Sequence, residues 1–270
     1  MEIAKITKRR MAEYLKGGKR FDARSLLDYR PVTLKKGVAK KAEGSAEVCI
    51  GKTKVLVGIK LSIGVPYPNS EEEGTMMTTV ELLPLAAKRF QAGPPSIEAI
   101  ELARIVDRGI RESGMLDFKK LCIKKGEEVW TVMIDIYPLN DDGNLIDAAA
   151  LAAVAALQDA VFPEVKKGKI EVGEKSTKRL PISDIAPITT TFYKIGSSII
   201  LDPTAEENEA SDGRVSVAIS EEKKEQMVNA IQKGGFGDRS EPFTKEELYE
   251  IFDQAVKKQK DLREILEKSK

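Results

Sequence analysis

An alanine-rich, nearly uncharged run, LIDAAALAAVAALQDAVF (145–162), constrains the fold of this chain more than any other segment. Its length and composition predict a helix that has no polar face. A helix that is apolar all round has to be covered on all sides, and alanine side chains allow close packing. We therefore expect this helix to be buried and tightly packed.

The segments around this helix predict two similar halves. In the first half, SAEVCIG and TKVLVGIKLSIGV alternate like strands and meet at Gly51-Lys52, and VWTVMIDIYPL is a long strand. In the second half, a predicted hairpin turns at Ile195-Gly196 and GRVSVAIS follows as a strand. A long C-terminal helix then starts at a predicted capping box, Thr244 with Glu247. Strands come first and helices follow in each half, which is typical of an α+β fold.

The predicted divisions follow composition. Residues 1–19 form a basic amphipathic helix, 20–162 the first half, 163–178 a polar, lysine-rich linker, and 179–270 the second half with the C-terminal helix. The sequence lacks an apolar run of about 18 residues, so no membrane-spanning helix is expected. Cys49 and Cys122 each lie in an apolar strand-like run, which favours buried thiols in a reducing cytoplasm.

Charge and histidine content limit the chemistry. The formal net charge is +1, from 44 basic and 43 acidic residues, so a nucleic-acid or phosphate contact would need a local patch. The chain has no histidine, which excludes Ser-His-Asp and Cys-His catalysis and removes the commonest metal ligand. Any reaction would have to use carboxylates, lysine, arginine or a bound ion.

The segment SIEAIELARIVDRGIRES (96–113) predicts a helix whose N-cap is Ser96. At about 100° per residue, Arg104, Arg108 and Arg111 fall within a wedge of about 60°, opposite an apolar stripe. This face has two interpretations. It can neutralise itself through the spaced pairs Glu101–Arg104, Asp107–Arg111 and Arg108–Glu112. Alternatively, the unfavourable like-charge spacing of Arg104 and Arg108 leaves room for an external anion.

Several motifs together resemble one family. RFDARSLLDYRPV (20–32) is similar to the R-x-D-G-R…R-P motif that opens the RNase PH family. VELLPLA, the arginine-bearing helix, VWTVMIDIYPLNDDGNLIDAAALAAVAAL and ILDPTAEENEASDGRVSVAI follow in the family's order, so the resemblance covers about residues 18–260. The run ELLPLA…GPPSIEAIELARIVDRGIRES resembles the branch that supplies the non-catalytic ring subunits of the archaeal exosome.

The resemblance implies an RNase PH-like (ribosomal protein S5 domain 2-like) fold, with two similar halves of mixed β-sheet packed with helices. In active members, phosphate attacks the 3′-terminal phosphodiester of RNA and releases a nucleoside diphosphate. For the non-catalytic branch it implies no cofactor or metal. The implied partners are a catalytic RNase PH-like subunit in a hexameric ring of three heterodimers, RNA-binding cap subunits and single-stranded RNA, in the cytoplasm and without a membrane.

The turn before the alanine-rich helix argues against catalysis by this chain. Active members resemble G-[ST]-R there, where backbone N–H groups and the arginine hold phosphate. This sequence has GNLIDAAAL, with Ile146, Asp147 and Ala148 at those places. We expect Asp147 to be the N-cap, to satisfy the helix donors internally and to repel phosphate. No catalytic residue is therefore expected in the chain.

Two further motifs are expected to be structural. In DPTAEENEASDG, Asp212 lines up with the catalytic aspartate of active members and Glu206 with the acid before it, but we expect an acidic, solvated turn. In RFDAR, Ala23 stands where the family prefers glycine, so the turn is expected to differ slightly. The charged residues around it are expected to form a local ion-pair network: Arg20, Asp22, Arg24 and Asp28.

For RNA binding, the resemblance implies that Arg104 and Arg108 contact RNA at the active site of the catalytic subunit, while Arg111 is structural. Two other functions stay open at this point. The chain could itself be a phosphate-dependent 3′-to-5′ exoribonuclease that uses Asp212. It could also be a stand-alone RNA-binding protein, although its net charge of +1 and the lack of a basic, aromatic surface in the sequence argue against this.

Overall fold

The computed structural model describes residues 4–166, 169–223, 225–235 and 242–269. The remaining positions, which fall in the predicted N-terminal helix, linker and second half, lie outside the described residues. The helices are α1 (Lys5–Lys16), α2 (Ile97–Arg111), α3 (Leu145–Asp159), α4 (Ala205–Ala210) and α5 (Lys245–Lys268). The strands are β1 (Val32–Lys36), β2 (Gly44–Ile50), β3 (Thr53–Gly64), β4 (Thr75–Val80), β5 (Cys122–Lys124), β6 (Glu128–Asn140), β7 (Val161–Lys166), β8 (Lys169–Arg179), β9 (Ile188–Ile195), β10 (Ser198–Leu201), β11 (Gly213–Glu222) and β12 (Glu225–Gly234).

The larger sheet belongs to the first half. Its strand order is β1-β2-β3-β6-β4, and β5 also pairs with β6. The pairs are antiparallel except that β4 runs parallel to β6. In this order β4 lies at the edge of the sheet. The core-facing residues of β3 alternate with half-buried ones, as expected of a strand with one covered face.

The smaller sheet belongs to the second half and has the antiparallel order β10-β9-β11-β12. The predicted turn after Ile195 is confirmed, as is the capping box of Thr244 and Glu247 that starts α5. Helix α5 packs on β9 and β11. Helix α4 and the edge strand β12 were not expected from the sequence.

The predicted linker, 163–178, has regular secondary structure in its described part. Its described residues lie within β7 and β8, which pair antiparallel with Val161 opposite Arg179 and Lys166 opposite Lys169. The backbone groups of this polar segment find hydrogen-bond partners in the opposite strand, which its lysine-rich composition did not indicate. Its position as the boundary between two halves stays a prediction.

Helix α3 lies between the two sheets, as its composition predicted. Every residue from Leu145 to Leu157 is buried. The helix packs on β2 and β3 of the larger sheet, on β9 of the smaller sheet and on α2. The approach to β2 is so close that a Cβ atom at Gly44 would collide with the carbonyl oxygen of Ala156. None of the described helices is long and apolar enough to cross a membrane.

A buried carboxylate joins the start of α3 to both halves. Asp147 is fully buried, and its Oδ2 accepts hydrogen bonds from the Tyr29 hydroxyl at 2.8 Å and from the backbone N–H of Thr191 in β9 at 3.2 Å. The Asn144 amide donates a third bond at 3.2 Å. The Oδ1 atom has no hydrogen-bond partner among the described residues. Burial raises the pKa of Asp147 to about 6, although the three donors oppose the shift.

The close contact of β2 and α3 predicts that Gly44→Ala destabilises the protein by about 1–3 kcal/mol, because the added methyl group has to displace the α3 backbone. Urea unfolding measures this change. Gly58→Ala on β3 is the matched control, since its Cβ would meet only the Ala42 methyl at an ordinary 3.8 Å. Equal unfolding midpoints for the two variants would contradict the packing described here.

Asp147 predicts a defined pH dependence. Its pKa rises from 3.8 to about 6 on folding, so the native state binds the proton more tightly than the unfolded state. Its contribution to stability is therefore most favourable below pH 3.8 and is lost as pH rises through about 6. Relative to Asp147→Asn, the free energy of unfolding of the unmodified chain should fall by about 2 kcal/mol between pH 4 and pH 8. A difference that stays flat over this range would refute the assignment.

Candidate nucleic-acid interface

Helix α2 presents two arginines to solvent because its other side is held in the core. The Ser96 hydroxyl accepts a hydrogen bond from the Ala99 N–H at 3.2 Å, which confirms the predicted N-cap. The predicted apolar stripe is buried against the sheets and α3; it consists of Ala99, Leu102, Ala103, Val106 and Ile110. Arg104 and Arg108 are exposed and stand about 6 Å apart along the helix axis.

The guanidinium groups of Arg104 and Arg108 form no hydrogen bond or ion pair with any described residue. The predicted Glu101–Arg104 pair is wrong, because Glu101 instead pairs with Arg214 of β11. The predicted Arg108–Glu112 pair is also absent from the described part of the chain. The self-neutralising interpretation of this face therefore holds for neither arginine.

Arg111 is held in place by its neighbours, as predicted. Its guanidinium makes two 2.9 Å hydrogen bonds to Asp107 and one to the carbonyl oxygen of Met76 in β4. It also lies 5.7 Å from the centre of the Phe118 ring. The Asp107 carboxylate raises the pKa of Arg111. These contacts tie α2 to the sheet and pair the Arg111 charge within the chain, although its side chain stays 40% exposed.

The free arginines line a groove of about 830 Å³ between α2 and the edge strand β4. The opposite wall contains Thr78, Thr79 and Val80, and Thr79 donates a hydrogen bond to Asp135 at 2.7 Å. The lining also includes Ile100, which is 49% exposed. It further contains four acids, of which Asp107 is paired with Arg111: Glu81, Asp107, Glu112 and Asp135. Arg104 and Arg108 have no partner among the described residues, so each guanidinium can still bind a pair of phosphate oxygens.

The turn before α3 differs from the predicted arrangement. The N-cap is Asn144, in the left-handed region at φ 59°, and its side chain makes no capping hydrogen bond. Asp147 was predicted to be the N-cap, but it lies in the first turn of the helix. The Asn144 amide instead donates hydrogen bonds to Asp147 and, at 2.9 Å, to Asp202. These bonds hold the Asn144 side chain away from the N–H groups of the helix that it would otherwise cap.

The pocket beside this turn is small and its charges are paired. It has a volume of about 270 Å³ and includes Ile146, Arg89 and Arg214 in its wall. Arg89 is bound to Glu98 at 2.8 Å and to Asp141, and Arg214 is bound to Glu101. Both guanidinium groups are thus already paired with carboxylates, so neither is left as an unpaired cation for a phosphate.

The acidic run 202–212 is not a solvated turn, so that prediction is wrong. Three of its five acids are buried: Asp202, Glu207 and Asp212. Each of them has a cation or an N–H donor from elsewhere in the chain. Asp212 pairs with Lys8 of α1 and accepts a hydrogen bond from the Gly196 N–H at 2.8 Å. Only Glu206 and Glu209 are exposed. The described residues contain no group of three or more acids and cysteines that could hold a metal ion.

Asp202 is the centre of the ion pairs around the opening motif. It accepts hydrogen bonds from Arg24 at 3.0 Å and from Arg30 at 2.8 Å. The predicted local network is correct for Asp22 and Arg24, which are 2.7 Å apart. Arg20 instead makes its main contact with Glu207, and Asp28 with Lys258 of α5. Both of these partners belong to the second half, which residue spacing along the chain could not reveal.

Ala23 takes the conformation that its side chain disfavours. Its φ is +64°, and its N–H donates to the carbonyl oxygen of Arg20 at 3.1 Å. Ala23 thus adopts the positive φ that glycine would adopt more easily. The ion pairs on either side of Ala23 fix the backbone strongly enough to offset a cost of about 1 kcal/mol for a left-handed alanine.

The predicted site residues are thus distributed over separate places. Arg104 and Arg108 share the groove at α2, whereas Asp147 lies in the core and Asp212 lies against α1. The structure does not bring Asp212 and Glu206 together as a site, because Asp212 is buried and Glu206 faces solvent. The sequence missed the pairing of Arg89 with Asp141 and of Arg214 with Glu101, which joins distant parts of the chain.

Comparisons with known proteins assign the chain to a family. The sequence is similar to the 3′ exoribonuclease family, domain 1, over residues 28–163 and to domain 2 of that family over residues 186–258. It is 43% identical over 261 residues to the exosome complex component Rrp42 of Methanosarcina acetivorans, covering 97% of this chain and 93% of that protein. It is 45% identical over 268 residues to the protein of the same name from Thermococcus gammatolerans, covering 98% and 95%.

Solved structures agree with this. A chain of the Archaeoglobus fulgidus exosome with RNA bound to the active site has a TM-score of 0.86 and 37% identity, over 96% of this chain and 97% of that one. A chain of an archaeal exosome core has a TM-score of 0.83 and 35% identity, over 97% and 96%. The α+β fold predicted from the sequence is confirmed as RNase PH-like. The chain belongs to the RNase PH, or 3′ exoribonuclease, family.

Proposed function

We propose that this protein is the non-catalytic subunit of an archaeal exosome, which pairs with a catalytic RNase PH-like subunit in a ring of three heterodimers. In that ring it contacts single-stranded RNA with Arg104 and Arg108 and completes the active site of its partner. The similar proteins named exosome complex component Rrp42 support the assignment to this complex. RNA-binding cap subunits and a cytoplasmic location belong to the same proposal. Cys49 and Cys122 are free thiols, but they are half-buried and not buried as the sequence predicted.

The observation that carries the RNA-contact role is the state of the two arginines. Most other arginines of the described core are bound to carboxylates, whereas Arg104 and Arg108 have guanidinium groups without a described partner beside an open groove. Guanidinium groups stay charged at all relevant pH values and bind phosphate through two parallel hydrogen bonds. The net charge of +1 makes such a local patch necessary for RNA binding.

The turn before α3 supports a non-catalytic role. A phosphorolytic site has to hold inorganic phosphate beside the RNA end. Here the pocket wall contains Ile146, and the arginines beside it are already paired with carboxylates. An acid that is buried in the first turn of the helix, Asp147, further opposes an anion at this helix terminus.

The alternative of an active exoribonuclease requires Asp212 to work on a substrate. Its two carboxylate oxygens are occupied by Lys8 and by the N–H of Gly196, and it is only 8% exposed. These contacts favour a structural role for Asp212. The net charge of +1 gives no support to the alternative of a stand-alone RNA-binding protein. A chain that holds only half of a composite site would also need its partner in order to bind RNA there.

We predict that Arg104→Ala or Arg108→Ala lowers the affinity of the assembled ring for single-stranded RNA by about tenfold, because each removes a charge-assisted phosphate contact. Fluorescence anisotropy measures the affinity, and light scattering checks that the ring still forms. Arg104→Lys should lose less, since it keeps the charge but not the paired hydrogen bonds. The exposed Lys257→Ala is the control; RNA affinity that is the same in all four variants would refute the composite site.

Asp212→Asn should leave phosphorolysis by the assembled ring within about twofold of the unmodified complex, because the carboxylate holds α1 and not substrate. Stability should fall by about 1 kcal/mol through loss of the contact with Lys8. Lys8→Gln is the matched control, since it removes the other half of the same ion pair. A large loss of activity in Asp212→Asn, without one in Lys8→Gln, would mean that Asp212 is catalytic.

A further inference from the structure

The outer side of α1 and the loop after it form a basic surface that the proposed function does not use. We call it the N-terminal basic–aromatic surface, and define it by the exposed residues Lys5, Arg10, Tyr14, Lys16, Lys19 and Phe21. The inner side of α1 is anchored by Met11 and Leu15, which are buried against β9, β10 and α4. The outer residues are therefore held in a fixed arrangement on a packed helix.

The described residues do not neutralise the charge of this surface. Six basic residues lie between Lys5 and Lys19, against one acid, Glu13. Lys8 is paired with Asp212, and Arg9 with Glu13 at 3.5 Å. The charged groups of Lys5, Arg10, Lys16 and Lys19 have no partner among the described residues. The adjacent α4 exposes Glu206 and Glu209, which bound the surface on that side.

Two aromatic rings stand beside these charges. Tyr14 is 42% exposed and Phe21 is 50% exposed, and their ring centres are 5.2 Å apart at an angle of 56°. The Arg10 guanidinium lies 5.8 Å from the centre of the Tyr14 ring. Each ring supports the position of the other while part of it stays open to solvent. The expectation that the chain lacks a basic, aromatic surface is therefore wrong. The contact could not be predicted from the sequence because Phe21 lies beyond the end of α1.

The geometry points to single-stranded RNA as the ligand of the N-terminal basic–aromatic surface. Unpaired cations next to exposed aromatic rings are the combination that holds a flexible strand, with phosphates on the cations and bases stacked on the rings. An acidic protein segment would use the charges but would gain nothing from ring faces that are suited to bases. This inference rests on the proposed function only in that RNA is the substrate of the complex.

The surface is separate from the arginines of α2. Ala12 of α1 lies next to Gly196, just beyond the C-terminal end of β9, whereas Gly109 of α2 lies next to Thr189 at its other end. A strand advances about 3.3 Å per residue, so the two places are on the order of 20 Å apart. A single RNA would reach both only if it were longer than the segment held at the active site. The surface would thus retain the RNA and leave the rate of the chemical step unchanged.

The test uses the full chain, alone and in the assembled ring, with a long single-stranded RNA and with an oligonucleotide of a few nucleotides. The charge variant is Arg10→Gln/Lys16→Gln/Lys19→Gln, and the matched control is Lys119→Gln/Lys257→Gln/Lys260→Gln, which removes three exposed lysines elsewhere. A second variant, Tyr14→Ala/Phe21→Ala, keeps all charges. Arg104→Ala/Arg108→Ala is measured in parallel, and poly-glutamate serves as an acidic ligand without bases.

For long RNA, the slope of log affinity against log salt concentration should become shallower by about 2 in the charge variant and stay the same in the control. Each of the three lost phosphate contacts accounts for about 0.7 of this slope. The aromatic variant should bind long RNA about five- to tenfold more weakly, and phosphorolysis of the short oligonucleotide should not change in either variant.

Three results would overturn the inference. One is unchanged binding of long RNA by the charge variant. Another is unchanged binding by the aromatic variant. The third is a loss of poly-glutamate binding by the charge variant that equals its loss of RNA binding, which would assign the surface to an acidic protein. Failure of the Arg104→Ala/Arg108→Ala variant to weaken binding would count against the proposed composite site alone, because that variant leaves α1 intact.

Discussion

The burial of α3 between two sheets determines the arrangement of the polar groups around it. Because the helix is covered by β2 and β3 on one side and by β9 on the other, its first turn lies at the junction of the two halves. Any polar group at that junction has to find a partner inside the protein. Asp147 does so with Tyr29 and Thr191, and Asp202 does so with Arg30. The Asn144 amide donates to both acids, and of the side-chain oxygens of these three residues only the Oδ1 atoms of Asp147 and Asn144 have no partner among the described residues. The helix terminus that could hold phosphate in an active relative is thereby used to hold the fold together.

The same requirement explains which charges are left for a ligand. Buried acids are paired with basic residues or N–H donors, as in Glu207 with Arg20 and Asp212 with Lys8. Charges of this kind are costly to expose or remove, and they fix the relative positions of their elements. The side of α2 that faces the core is apolar and needs no cation. Arg104 and Arg108, on the exposed side, therefore belong to none of these networks among the described residues.

The sequence was sufficient for features that depend on local spacing. The Ser96 cap, the apolar stripe of α2, the turn after Ile195 and the capping box at Thr244 depend on residues within a few positions of one another. It also predicted that the alanine-rich helix is buried, since no other environment suits a helix without a polar face. The resemblance to the RNase PH family added the two-half fold and singled out Arg104 and Arg108.

The sequence was insufficient where a side chain meets a partner far along the chain. The acidic run looked solvated because its cations, such as Arg20 and Lys8, precede it by about two hundred positions. Asp147 looked like an N-cap because the pull of Asp202 on Asn144 could not be foreseen. β12 is an exposed edge strand with a weak apolar pattern, and α4 has only six residues, so neither stood out. Tyr14 and Phe21 come together only because the chain folds back after α1.

The central claim is that this chain completes a catalytic site that it does not itself contain. Release of nucleoside diphosphates from single-stranded RNA, in the presence of phosphate and Mg²⁺, tests it directly. The assay compares this chain alone, the catalytic RNase PH-like subunit alone, and the two after mixing. We expect no release by this chain alone and strong release on mixing. Release by this chain alone, or no gain on mixing, would contradict the account.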